Sequence, residues 1–122
     1  CDSSSGGKNC VIAATGRDVA RSIMSWTFGV TSTGAQGAYD VATSVGNGLT
    51  DMTPSMASGN PSGAGGFLMV VRGIDGLIYQ NYKPSISIPW GGWGQVLSIS
   101  SNYPPIVASR QAGTSYDLIV GP

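Results

Sequence analysis

Two stretches of this chain are copies of one another at a spacing near fifty residues. Residues 50–58 read TDMTPSMAS and residues 101–109 read SNYPPIVAS, so Pro54 falls on Pro105, Ala57 on Ala108 and Ser58 on Ser109, an offset of 51. Further on, FLMVVRG (67–73) falls on YDLIVGP (116–122), an offset of 49. A period of this size marks a stacked array such as a propeller or a solenoid. In such arrays each unit leaves an apolar face open until a neighbour covers it. The 122 residues then hold part of one unit, all of a second and the start of a third.

What the unit is made of follows from what the chain lacks. Glu and His are absent, and Lys occurs only at Lys8 and Lys83. Several of the best surface helix formers are therefore missing. In their place stand 19 Gly, 7 Pro and many Ser, Thr and Val, a mixture suited to short strands joined by tight turns. The best-defined unit reads as four strands, PSMAS, FLMVVRG, LIYQNY and WGQVLSI, with an Asp75-Gly76 turn between the second and third. The fold class expected is all-β: four-stranded antiparallel meanders, nine strands in total, with the last unit incomplete.

Four segments follow. Residues 1–9 form a polar tail or disulfide loop, 10–53 a degenerate unit, 54–104 a full unit and 105–122 the start of a third. In the degenerate unit, CVIAAT (10–15) reads as a strand buried on both faces. Residues 16–26 (GRDVARSIMSW) fit either a helix capped by Asp18 or a turn followed by a strand. The repeat favours the second, because Gly16 falls on Gly73 and Asp18 on Asp75. Thr27 to Gly37 is rich in Gly, Ser and Thr and reads as a loop. Ala38 to Val45 falls on Pro89 to Val96.

Charge and cysteine usage narrow the function classes. Six basic and six acidic residues give zero formal net charge. No basic patch can be drawn, which argues against nucleic acid as a partner. A weakly charged surface suits a neutral partner such as a sugar, or another copy of the chain. Cys1 and Cys10 bracket the Gly-containing stretch CDSSSGGKNC, whose spacing permits a disulfide loop and points to a secreted, extracellular protein. Two other readings stay open: unrelated thiols, or a lipid anchor on Cys1. No apolar run reaches the ~18 residues of a membrane span.

Catalysis finds little to work with. Without His or Glu, no Ser-His-Asp or Cys-His arrangement can be built. The six Asp share no local motif, and neither a zinc ligand set nor a D-x-D-x-D calcium loop is present. No catalytic residue, metal or cofactor is expected.

The stretch FLMVVRGIDGLIYQNY…PWGGWGQV carries a family resemblance. Arg72, Gly73, Asp75, Gly76, Leu77, Tyr79, Tyr82, Trp90 and Trp93 resemble the blade pattern of Psathyrella velutina-type lectins and their bacterial relatives. The likeness covers about residues 54–122. In the N-terminal half it keeps Gly16, Asp18 and Trp26, but Tyr39 stands at the place of Trp90 and Ala42 at that of Trp93. It implies a seven-bladed β-propeller that binds glycans between neighbouring blades without chemistry. A full ring needs about three times this many residues, so other copies or further chain segments are expected to complete the array.

Within that frame the ligand-binding candidates are Trp90, Trp93, Tyr82, Arg72 and Asp75. Either indole stacks on a sugar face or fills the space between blades. Arg72 and Asp75 hold sugar hydroxyls, or Asp75 caps its own turn. Tyr79 and Tyr82 point to opposite faces of one strand; Tyr82 is the expected contact and Tyr79 the packed one. A second class of function is also open, a structural subunit that packs head to tail into an extracellular filament or surface assembly.

Overall fold

A computed structural model describes residues 1–4, 7–37, 40–58, 66–110 and 115–122. Its described secondary structure is entirely strand. Ten strands run in chain order: β1 (Asp2–Ser4), β2 (Gly7–Thr15), β3 (Ser22–Thr31), β4 (Thr43–Leu49), β5 (Ser55–Ser58), β6 (Phe67–Arg72), β7 (Leu77–Lys83), β8 (Gly94–Ser100), β9 (Ile106–Ser109) and β10 (Tyr116–Ile119). They form three sheets, β1-β2-β3-β4, β5-β6-β7-β8 and the pair β9-β10. Every pairing is antiparallel between neighbours in the chain.

The sequence repeat is a repeat of register. Ser55 pairs Val70 and Met56 pairs Met69; at the repeat-related places Ile106 pairs Ile119 and Val107 pairs Leu118. The first two sheets also share a register shift, between Ser22 and Met24 in one and between Leu77 and Tyr79 in the other. Their turns correspond as well. Gly73 donates its N–H to Leu77 O at 2.8 Å, and Gly16 donates to Ser22 O at 2.7 Å. The first turn is two residues longer, which leaves Arg21 at φ 58 where the second turn has Gly76 at φ 86. The turn needs a left-handed residue at that point, and glycine meets the need without steric cost.

The second sheet is buried on both faces. All of Phe67 to Val71 is buried, because side chains alternate along a strand and each face has a covering sheet. Met69 and Val71 pack with Ile23 and Val45 of the first sheet. Leu68 and Val70 pack with Ala57, Ile78 and Val107, the last from the third sheet. Each such side chain contributes about 1.5–3 kcal/mol by leaving water, so the two clusters hold the sheets together.

A buried hydroxyl marks each passage between meanders. Thr50 Oγ1 donates to Arg72 O at 2.6 Å and accepts the Met52 N–H at 3.1 Å. Ser101 Oγ, offset by 51, donates to Gly121 O at 3.0 Å and accepts the Tyr103 N–H at 3.0 Å.

Three expectations are corrected. The loop read from Thr27 to Gly37 begins only after Thr31, because β3 runs on to that residue. Its second half has a partner the polar tail concealed: Gly7, Lys8 and Asn9 extend β2 backwards and pair with Thr31, Val30 and Gly29. The described residues therefore hold ten strands, with β1 folded onto β2 and Cys1 bonded to Cys10, Cα atoms 4.0 Å apart. The CVIAAT run is fully buried only at Cys10 and Val11. The turns read at 58–66 and 110–115 fall mostly outside the described residues, as does Tyr39. No helix long and apolar enough to cross a membrane is present among the described residues.

Candidate functional site

The loop PWGGWG, between β7 and β8, carries two indoles across to the first sheet. Gly91 anchors it by donating its N–H to Tyr82 O at 3.0 Å. Trp90 Nε1 donates to Ser25 Oγ of β3 at 2.9 Å, and Trp93 Nε1 donates to Val45 O of β4 at 2.8 Å. Both rings pack on the cluster of Ile23, Val45, Met69 and Val71. A Cβ at Gly48 would stand 2.5–2.7 Å from the Trp93 ring, so only glycine admits the indole there. The two tryptophans thus bridge the sheets, and each also borders an open cleft.

The first cleft, about 300 Å³, lies between β4 and the β6–β7 turn. Asn47, Gly48 and Leu49 line one wall; Ile74, Asp75, Tyr79 and Trp93 line the other. Asp75 Oδ1 accepts the Leu77 N–H at 3.0 Å, and Oδ2 accepts the Tyr79 hydroxyl at 2.6 Å. The Tyr79 hydroxyl, then the Leu77 N–H, holds the Asp75 carboxyl below the usual aspartate range. The same bond raises the Tyr79 phenol. The mouth of the cleft therefore carries an ionised carboxylate over an aromatic wall.

Trp93 and Asp75 share this cleft; the other candidates do not join them. Arg72 Nε donates to Ser101 O and its Nη1 reaches Asp51 at 3.3 Å, tying the second meander to its neighbours. Tyr82 stands opposite Leu68 and on the other face of β7 from Tyr79, toward the third sheet. Tyr79, expected to be only packed, borders the cleft and orients Asp75. Asn47 and Leu49 went unrecognised in the sequence. The pair Gly46 and Gly48 in TSVGNGL was the available signal, since glycine within a strand marks a close approach.

The first meander carries a counterpart. Around Asp18 a depression of about 470 Å³ is lined by Gly16, Met24 and Ala42, the residues that fall on Gly73, Tyr79 and Trp93. Asp18 accepts the Ser22 hydroxyl at 2.7 Å and the Ser22 N–H at 2.9 Å, which lowers its pKa. It has neither aromatic wall.

The second cleft, also about 300 Å³, lies where Trp90 and Lys83 of the second meander meet β3 and the approach to β4. Lys83 is only 6% exposed and donates from Nζ to Ile88 O at 2.7 Å. Burial pulls its ammonium below the usual lysine value, with Asp40 opposing. Asp40 is pinned on the facing wall, accepting from Thr27 Oγ1 and donating its own N–H to Thr27 O. Among the described residues no group of three or more metal-ligating side chains stands together. No protein-family model, no curated protein and no solved structure matches the chain.

Proposed function

We propose that the chain is a secreted, non-catalytic carbohydrate-binding protein built of propeller-type blades, with a glycan held in the first cleft between successive meanders. One observation carries this reading. The cleft sets an indole and a phenol beside an ionised carboxylate and an amide, from Trp93, Tyr79, Asp75 and Asn47. Aromatic faces stack on the C–H face of a sugar ring. A carboxylate accepts strong, charge-assisted hydrogen bonds from its hydroxyls. The test is a glycan array followed by Asp75→Asn and Tyr79→Phe, each checked for folding by circular dichroism. Absence of any bound glycan would refute the function, and full binding by both folded variants would refute the site.

A second reading has its own support. Ile106 and Ile119 are cross-strand partners on the third sheet and remain 59% and 64% exposed. They lie on the face turned away from the second sheet, where a further sheet would pack in a head-to-tail assembly. Sedimentation velocity tests it. Association that Ile119→Lys abolishes supports the assembly, and a concentration-independent monomer rejects it.

A further inference from the structure

The geometry points to a second ligand site, in the cleft over Lys83 and Trp90, that takes a small organic acid also bearing hydroxyl or amino donors. Lys83 is the starting point. An ammonium group has three N–H donors, and here one is used, on Ile88 O. The ion pairs of the described residues are Arg21–Asp51, Arg72–Asp51 and Arg110–Asp117, none of which involves Lys83. A buried cation is costly unless an anion lies beside it, and Asp40 acts on Lys83 only across the cleft, outside ion-pair distance. A ligand carboxylate would supply that charge and accept the remaining donors.

The rest of the cleft defines the rest of the ligand. Its volume, about 300 Å³, is at the small end of ligand sites. The Trp90 N–H is spent on Ser25, so the indole presents the cleft with an apolar surface rather than a donor. Asp40, held on the opposite wall by Thr27, repels a second carboxylate and accepts donors. A uronic acid or a hydroxy acid meets these demands; a neutral sugar leaves Lys83 unanswered. The walls differ from those of the first cleft, so failure of glycan binding there leaves this assignment standing.

The experiment follows the indole N–H signals of the protein's three tryptophans by nitrogen–proton NMR, assigned with Trp90→Phe and Trp93→Phe. Glucuronate and glucose serve as a pair that differs only in the carboxylate. Glucuronate should move the Trp90 signal with an affinity about tenfold above that of glucose. Lys83→Met, which keeps the apolar stem, should remove that preference. Equal affinities, a Trp90 signal unmoved by either compound, or a preference that survives in Lys83→Met would overturn the assignment. Should Lys83→Met not fold, Asp40→Asn takes its place. Loss of its opposing charge should tighten acetate, and unchanged acetate binding would overturn the site.

Discussion

Thr50 offers a sharp test of how the meanders are joined. Its side chain is fully buried, and the hydroxyl donates to Arg72 O at 2.6 Å while accepting the Met52 N–H at 3.1 Å. Thr50→Val keeps the shape and removes both bonds. A buried polar group left without a partner costs about 1–3 kcal/mol. The Arg72 carbonyl and the Met52 amide both lie in partly buried surroundings, so water relieves part of each loss. The net loss should be about 2–3 kcal/mol. At about 4 °C per kcal/mol for a chain of this size, Tm should fall by about 10 °C. Thr50→Ser is the built-in control, because Ser101 makes the same two bonds at the next junction. It should cost about 0.8 kcal/mol, the value of one buried methyl. Scanning calorimetry of both variants decides the matter. A valine variant that melts with the wild type, or a serine variant that falls as far as the valine one, would show that packing rather than the hydroxyl secures the junction.

Other perturbations have equally definite outcomes. Gly48→Ala places a methyl against the Trp93 indole and should cost about 1–3 kcal/mol by overpacking, read as a lower Tm together with weaker glycan binding. Replacing Cys1 and Cys10 by Ser frees a loop of nine-residue separation and should cost about 2–3 kcal/mol, measurable by urea unfolding. The Asp75 carboxyl is depressed in the folded state. Its stabilising effect is therefore fully present above the unfolded aspartate value, about 4, and is lost as pH falls through the folded value. Acid unfolding of Asp75→Asn should show a shallower dependence on pH below about 4; an unchanged slope would deny the Tyr79–Asp75 bond its role.

The site was less legible than the sheets. The repeat and the Asp-Gly turn located β5 to β8 to within a residue, since strand period and turn chemistry are local properties. The same local reasoning ended β3 early, because the partners of Gly29–Thr31 are Gly7 to Asn9, a polar stretch with no strand signature. Trp93 and Asp75 were two of five ligand candidates, alongside Trp90, Tyr82 and Arg72, and nothing local set them together. Their partners in the first cleft come from β4, distant in sequence from both, and only the packing of one sheet on the next brings Asn47 and Leu49 to them. Tyr79 and Tyr82 were correctly set on opposite faces by strand alternation, but which face borders an opening depends on the neighbouring sheet.

Backbone periodicity and turn residues, being encoded within a few positions, sufficed to determine an all-β chain of repeated meanders, whereas the bond between Cys1 and Cys10 was one of three readings left open until the pairing of β1 with β2 brought the two together. The order in which sheets cover one another, and hence which polar side chains end up in clefts, was decided only in three dimensions. Lys83 illustrates the difference. On a strand it is one of two lysines in a nearly neutral chain, and in the folded protein it is a buried cation that lines a cleft with Trp90 and the first sheet.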